Sequence, residues 1–334
     1  MGVLEADFYI RGILASDRRV LAKAITLLES TRPEDQELAW RVQEGILPHS
    51  GGAMRIGISG APGAGKSTFI EAFGMYLIGQ GRRVAVLAID PSSKRSGGSI
   101  LGDKTRMLQL ATHDRAFIRP SPTGDALGGV ARKTRQTIPL LEAAGYDPII
   151  VETVGVGQSE TMAASMVDFF TLITTPNAGD DLQGIKRGIM ELVHAILVNK
   201  ADGAFEEQAK TARHILVRAL ELMHPPVPGW KVSVETVSSL REEGIGRYWE
   251  MVEAFRGEMV GSGQLAAERR RQARDWMWEM VEEELKRRFI TNHQVSALLP
   301  GLEQAVIGGA VPPVVAASQL LDAHFGASRN LGAR

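Results

Sequence analysis

The chain has 334 residues, a formal net charge of -1 and no cysteine. This length suits one large domain with additions, or two domains. The near-neutral charge excludes a global attraction to nucleic acid or to an anionic membrane, and the lack of cysteine excludes disulfides, thiolate metal sites and cysteine nucleophiles. The beginning of the sequence is not typical of a secretory signal, and no stretch approaches about 18 apolar residues. We therefore expect a cytoplasmic, soluble protein that binds neither nucleic acid nor membrane.

Helical periodicity marks the beginning of the chain, from residue 5 to about residue 47. The stretch SDRRVLAKAITLLES predicts a helix with Ser16 as its N-cap, and a second helix is expected to begin near Thr31 or Pro33. The first of these helices has one apolar face, which consists of Val20, Leu21, Ile25 and Leu28. We predict an N-terminal helical extension over residues 1–50.

Seven short apolar runs follow, and amphipathic stretches separate them. The runs are RIGIS, RRVAVLAI, AFIRP, DPIIVE, FFTLIT, AILVN and WKVSVE. Their high content of Val, Ile and Leu indicates strands that are buried on both faces, which is typical of a doubly wound, mostly parallel α/β sheet. We assign this α/β domain to residues 51–260 and expect its ligand loops at the carboxyl ends of the strands.

The remaining residues, 261–334, predict a helical tail. A helix of about 40 Å is expected to end near Phe289, and two shorter helices follow, with breaks at Pro300 and at residues 311–313. The apolar residues of the long helix are Leu265, Ala273, Trp276, Met280, Val281, Leu285 and Phe289. Because a lone projecting helix would leave this surface in water, we predict a C-terminal dimerisation arm that makes the protein a homodimer. Packing of the tail on the chain's own core is the alternative.

The stretch GAPGAGKST lies between the first predicted strand and a helical segment. A loop rich in glycine can turn its backbone N–H groups inward, and the helix that follows adds unpaired donors and a positive dipole end. The spacing fits the P-loop pattern, in which the lysine reaches the β- and γ-phosphates and the hydroxyl after it ligates Mg²⁺. The predicted nucleotide-binding residues are Gly60, Ala61, Pro62, Gly63, Ala64, Gly65, Lys66, Ser67 and Thr68.

A second polar stretch, AILVNKADG, places Asn199, Lys200 and Asp202 directly after a strand. A carboxylate at this position can accept hydrogen bonds from the ring N–H and the exocyclic amine of guanine, whereas adenine offers an acceptor and a C–H there. The stretch therefore favours GTP and GDP as ligands. The loop after the next strand contributes three further candidates for contact with the base: Ser238, Ser239 and Leu240.

The stretch PIIVETVGVGQSE combines a carboxylate at a strand end with a nearby glycine. Glu152 is expected to hold Mg²⁺, through water, and the Gly155 N–H is expected to meet the γ-phosphate, as in the switch of G proteins. Val156 follows Gly155, where a water-orienting glutamine is often found, and Gln158 lies two positions further on. We therefore expect slow hydrolysis in the absence of a partner.

A fourth stretch, AIDPSSKRSGGSILGDKTRM, follows the second predicted strand. Asp90 closes that strand and can face the metal, although capping of the turn before Pro91 is an alternative. Asp103 lies beyond a loop of Gly and Ser, which suits movement with the nucleotide state. Lys104 and Arg106 are either part of this moving loop or members of a solvated helix face. The predicted metal set is Ser67, Asp90 and Glu152.

Together, GAPGAGKST, AIDPSS, ETVGVGQSE and NKADG, in this order, resemble the MeaB/ArgK/methylmalonic aciduria type A family of P-loop GTPases. The resemblance covers nearly the whole chain. It implies a homodimeric GTPase that acts on an adenosylcobalamin-dependent methylmalonyl-CoA mutase, gates cofactor loading and protects the mutase from inactivation. It also implies a mobile switch in PNAGDDLQGIK, with Asp180 and Lys186 as candidate relays. The predicted catalytic residues are Lys66, Asp90, Asp103, Glu152 and Lys186.

Three other functions are compatible with a P-loop. A nickel-insertion GTPase usually needs cysteine or clustered histidine, and this chain has no cysteine and seven dispersed histidines. A small-molecule kinase is disfavoured by the guanine-selective stretch and by the switch-like Glu152. A scaffold that binds nucleotide without turnover is the third alternative, and GTP hydrolysis without a phosphorylated acceptor distinguishes all three from the favoured function.

Overall fold

A computed structural model describes residues 5–89, 107–120, 127–153, 158–176 and 187–326. The chain divides into two compact units, Met1–Leu265 and Ala266–Arg334. Within the described ranges, no helix has both the length and the apolar character that crossing a membrane requires.

The first unit contains a seven-stranded sheet in the order β3-β2-β4-β1-β5-β6-β7. The strands are β1 Arg55–Ser59, β2 Val84–Ile89, β3 Ala116–Arg119, β4 Ile149–Thr153, β5 Phe169–Thr174, β6 Ala195–Val198 and β7 Ser233–Thr236. All six neighbouring pairs are parallel. The sheet confirms the predicted α/β class, and every predicted apolar run overlaps one of its strands.

The described residues form thirteen α-helices. They are α1 Ala6–Leu14, α2 Arg18–Glu29, α3 Pro33–Ile46, α4 Lys66–Gly79, α5 Leu108–Thr112, α6 Leu127–Ala143, α7 Gln158–Ala164, α8 Arg187–Met190, α9 Glu206–Leu220, α10 Ile245–Gly261, α11 Gln264–Thr291, α12 His293–Ile307 and α13 Pro313–Phe325.

Two hydrophobic clusters sandwich the sheet. One cluster packs α4 and α10 on one face and includes Phe73 and Tyr248. The other cluster packs α6 and the three N-terminal helices on the opposite face and includes Leu21 and Leu141. Strand β1 lies at the centre, between β4 and β5. The carboxyl ends of β4, β1, β5 and β6 are therefore neighbours along the carboxyl end of the sheet.

Ser16, the expected N-cap of α2, is wrong by one residue. The side chain of Asp17 accepts hydrogen bonds from the N–H groups of Arg19 and Val20 and caps α2. Ser16 has a left-handed backbone, with φ 60°, and its hydroxyl donates to the Ala144 carbonyl at 2.8 Å. An N-cap residue needs an extended backbone, so Ser16 joins the helical extension to α6 instead of capping.

The tail contains the predicted long helix, α11, whose 28 residues span about 42 Å. The expected break at Pro300 is wrong, because α12 runs through that residue. The fixed φ of proline lies close to the helical value, so proline can stand inside a helix, at the cost of one backbone hydrogen bond and a clash with the preceding turn. The side chain of Asn292 caps α12 instead, and the expected break at residues 311–313 is confirmed by α13.

Candidate functional site

The glycine-rich loop occupies residues 60–65, between the end of β1 and the beginning of α4. Gly60, Gly63 and Gly65 have φ values of 153°, 81° and 89°, which L side chains rarely adopt. A Cβ atom on Gly60 would lie 2.1 Å from the Ile173 carbonyl oxygen, and one on Gly65 would lie 2.4 Å from Asn199 Nδ2. At Gly60 and Gly65 the loop therefore packs so closely against the ends of β5 and β6 that a residue with a Cβ atom would clash.

Lys66 begins α4 and reaches back across this loop. Its Nζ donates to the carbonyl of Gly60 at 2.7 Å and to that of Ala61 at 3.2 Å. Gly65, the N-cap of α4, supplies no side-chain hydrogen bond. The ammonium group therefore lies at the loop that leads into the first N–H groups and the positive dipole end of α4, a combination typical of phosphate-binding sites. Thr68 is exposed on the first turn of α4.

Asn199 is 1% exposed and joins the glycine-rich loop to the loop after β7. Its Nδ2 donates to the Ala64 carbonyl at 2.9 Å. Its Oδ1 accepts from the backbone N–H of Ser239 at 3.2 Å and from the Ser239 hydroxyl at 2.7 Å. In this structure the Asn199 amide bonds within the protein, and these bonds fix two loops relative to each other.

Asp202 is held by the neighbouring serine of that loop. The Ser238 hydroxyl donates to Asp202 Oδ2 and accepts from the Arg241 N–H at 3.2 Å. This pairing orients the hydroxyl hydrogen towards the carboxylate. Leu240, in contrast, is 82% exposed. The structure thus brings Ser238 and Ser239 to the predicted base-binding residues and leaves the Leu240 side chain in solvent.

Lys200, between Asn199 and Asp202 in the sequence, has a left-handed backbone with φ 61°. A lysine in this conformation is strained by about 1–3 kcal/mol, and such strain clusters at ligand sites. The residue lines the same pocket as the glycine-rich loop. The strained residue therefore belongs to the predicted base-binding stretch and also lines the pocket beside the predicted phosphate-binding loop.

The side chains of Ser67 and Glu152 meet at the first turn of α4, where Ser67 lies. The Ser67 hydroxyl donates to Glu152 Oε1 at 3.1 Å, and Glu152 is 9% exposed. Beside them, the Thr153 hydroxyl donates to the Ser59 hydroxyl at 2.9 Å. The β1–β4 register pairs Ile58 with Glu152, which sets the carboxylate next to the beginning of the glycine-rich loop.

Several predicted residues lie outside the described residues. They are Asp90, Asp103, Lys104, Arg106, Gly155, Val156, Asp180 and Lys186. Within the described ranges, no group of three or more His, Asp or Glu residues could hold a metal ion.

A pocket of about 360 Å³ opens beside the glycine-rich loop. Its walls are residues 60–64, residues 172–175 at the end of β5, Lys200 and Glu160. Glu160 is 2% exposed and was not among the predicted site residues. The stretch ETVGVGQSE contains it, but its burial depends on the packing of α7, which no local sequence signal reports.

Comparison with known proteins agrees with this geometry. The family model described as methylmalonyl Co-A mutase-associated GTPase MeaB matches residues 21–294. A probable GTPase of Mycobacterium tuberculosis is 50% identical over 316 residues, which are 95% of this chain and 94% of the relative. GTPase ArgK of Escherichia coli is 46% identical, over 85% of this chain and 86% of its own.

Two further similarities extend over most of the chain. The mitochondrial methylmalonic aciduria type A homolog of Mus musculus is 44% identical, over 95% of this chain and 79% of its own. The crystal structure of a LAO/AO transport system kinase has a TM-score of 0.78 and 36% sequence identity, and the match covers 96% of this chain and 99% of that one. The chain therefore belongs to the MeaB family of P-loop GTPases, and it binds guanine nucleotide and hydrolyses GTP.

Proposed function

We propose that this GTPase acts on an adenosylcobalamin-dependent methylmalonyl-CoA mutase, gates the loading of its cofactor and protects it from inactivation. The observation that carries the proposal is the family match over residues 21–294, because the family is described as mutase-associated. The methylmalonic aciduria name of the mouse relative supports the same partner class.

For GTP binding, we assign the phosphates to the beginning of α4 and to Lys66, whose ammonium group stabilises the charge on the transferred phosphoryl group. We assign the guanine edge to Asp202, which can accept from two donors of the base. Ser238 presets the carboxylate by its hydrogen bond. Because an adenine ring would leave this carboxylate without its donors, the site selects against ATP.

Mg²⁺ is expected to bind together with the phosphates of the nucleotide. The hydroxyl of Ser67 and the carboxylate of Glu152 already meet at 3.1 Å, and hard oxygen atoms of this kind suit Mg²⁺. The lack of a three-residue cluster in the described part of the chain fits an ion that protein sites usually hold with one or two carboxylates plus phosphate oxygens. We propose Ser67 and Glu152, with Asp90, as its environment, where the ion would neutralise phosphate charge.

We also propose that the tail makes the protein a homodimer. Six large apolar side chains of α11 are exposed within the described residues: Met277, Trp278, Met280, Val281, Leu285 and Ile290. Exposed apolar surface of this extent usually meets a partner. Sedimentation of a chain that ends at residue 261 tests the proposal: the truncated, folded protein should be monomeric, and retention of the dimer would contradict it.

The mutase proposal is tested by single-turnover GTP hydrolysis with and without an adenosylcobalamin-dependent methylmalonyl-CoA mutase. We expect at least a tenfold rise, which corresponds to about 1.4 kcal/mol of transition-state stabilisation. Lys186→Ala should reduce this partner-induced rise in the hydrolysis rate by a larger factor than it reduces the affinity for GTP. The matched control is Lys210→Ala, because among the described residues the Lys210 ammonium pairs with Glu206 and Glu207 of its own helix. Release of free phosphate, without a phosphorylated acceptor, also distinguishes hydrolysis from a kinase reaction. An unchanged rate in a mixture shown to form complex would rule out this coupling.

A further inference from the structure

Glu160 is a buried carboxylate at the beginning of α7. Its side chain lines the 360 Å³ pocket together with residues 60–64 of the glycine-rich loop. The hydroxyl of Ser159, which is fully buried, donates to Glu160 Oε2 at 3.3 Å. The carboxylate therefore stands beside the loop that holds the phosphates, with one of its oxygen atoms positioned by a neighbouring residue.

The surroundings of Glu160 differ from those of Glu142, another buried carboxylate. Glu142 receives two hydrogen bonds from the Arg55 guanidinium, at 2.9 and 3.1 Å, whereas Glu160 receives the hydroxyl of Ser159. No lysine or arginine of the described residues forms an ion pair with Glu160. Burial of a carboxylate without a cation is unfavourable, so its position at the pocket wall calls for a functional reason.

We infer that Glu160 orients the water that attacks the γ-phosphate of GTP. A carboxylate is an acceptor for the hydrogen of that water, and this one lines the same pocket as the loop to which the proposed function assigns the phosphates. The oxygen of water forms a bond to the γ-phosphorus as the bond to the oxygen of GDP breaks. Glu160 accepts one proton of the water and passes it to the released phosphate, so its side chain is again a carboxylate at the end of the reaction.

Other groups of the site are less suited to this task. The described part of the pocket wall contributes one further ionisable side chain, Lys200, whose ammonium group offers hydrogen-bond donors and no acceptor. Glu152 lies on the side of Ser67, where the metal is proposed. Val156, which follows the switch glycine, has no group that could orient water. Glu160 thus supplies a hydrogen-bond acceptor for water, in place of the glutamine that is often found at the position of Val156.

The decisive variant is Glu160→Gln, which keeps the shape of the side chain and an oxygen that accepts from Ser159. With GTP and Mg²⁺ but no partner protein, the single-turnover rate should fall about 100-fold, since general base catalysis contributes 10²–10⁴. The affinity for a fluorescent GTP analogue should change less than threefold. Glu160→Asp, which retains a carboxylate with a shorter reach, should recover part of the lost rate.

The control is Glu142→Gln, the same chemical change at another buried carboxylate, which bonds to Arg55 at the beginning of β1. It should lower the melting temperature and leave the rate of nucleotide-bound protein unchanged. If Glu160→Gln keeps a rate within twofold of the native protein, or if it loses nucleotide affinity in proportion to rate, the inference is overturned. Because no mutase is present, the outcome is independent of the partner proposed above.

Discussion

The two ends of the same parallel sheet are built in opposite ways. At the amino end, Arg55 forms a bidentate ion pair with Glu142. Nearby, Asp147 accepts from the Met54 N–H and pairs with Arg82 and Arg256. At the carboxyl end, the backbone takes left-handed conformations, and Glu160 faces a pocket. One end pairs its charges, whereas the other leaves donors and acceptors available to a ligand.

This difference shows where the chain separates stability from function. Buried charges at the amino end satisfy one another, and removal of one partner should lower the free energy of unfolding. The carboxyl end keeps strained residues and groups that are poised for a ligand, which is typical of binding sites. Substitutions at the amino end should therefore change stability alone, whereas those at the carboxyl end should change nucleotide affinity or the rate of GTP hydrolysis.

The largest effect is expected for Gly60→Ala, at the closest approach of loop and sheet. The new Cβ would lie 2.1 Å from a backbone oxygen of β5, and a backbone atom cannot swing away as a side chain does. Overpacking and backbone strain together should lower the free energy of unfolding by about 3–5 kcal/mol and abolish GTP binding. Gly63→Ala is the control, because its φ of 81° is also unfavourable for an L side chain, but within the described residues its Cβ meets no atom within 4 Å beyond its chain neighbours. Denaturant unfolding and GTP titration measure both; equal losses for the two variants would contradict the close-approach explanation.

The next effect concerns the amino end. Glu142→Ala would leave the Arg55 guanidinium, whose side chain is 17% exposed, without its carboxylate, so we expect a loss of about 3 kcal/mol in the free energy of unfolding. GTP affinity, measured well below the melting temperature, should stay within twofold of the native value. A large loss of affinity in the folded variant would show that the two ends are coupled.

The sequence predicts the sheet better than it predicts contacts within the site. The strand runs are continuous in Val, Ile and Leu, because parallel strands are buried on both faces, and such runs are visible locally. Ser16 was mistaken for a cap since Ser and Asp both favour that position and lie side by side. Its bond to Ala144 joins residues 128 positions apart, which no local pattern reports.

Within the site, spacing alone located the glycine-rich loop and the stretch that contains Asn199. It did not show that Asn199 bonds to Ala64 and to Ser239, because those partners are brought together by the order of the strands. The burial of Glu160 was missed for the same reason. Motifs thus identify which residue types are present, and packing decides which groups face the ligand.

A moderate effect, confined to the carboxyl end, is expected for Asp202→Asn. The variant keeps an oxygen that accepts from Ser238 but exchanges a carboxylate acceptor for an amide donor, which faces a guanine donor. Loss of a charged hydrogen bond of about 1.5–3 kcal/mol should weaken GTP binding roughly 10- to 150-fold and improve binding of xanthosine triphosphate. Competition titration with both nucleotides measures this change, and the melting temperature without nucleotide should stay constant. Equal affinity of the native protein for ATP and GTP would overturn the assignment of Asp202.

The smallest effect is expected for Lys200→Gly, which tests whether the strain at the carboxyl end serves the ligand. Glycine adopts φ 61° without the Cβ clash, but it adds flexibility to the unfolded chain, so the net gain in the free energy of unfolding should be about 0.5 kcal/mol. Glu242→Gly is the matched control, because Glu242 has φ 59° and is exposed on the surface. Both variants should gain similar stability, measured by denaturant unfolding. Lys200→Gly alone should weaken GTP binding. It removes the lysine side chain from the pocket wall and makes the turn between Asn199 and Asp202 more flexible. Equal GTP affinities for the two variants would show that the strain and the lysine at position 200 are irrelevant to nucleotide binding.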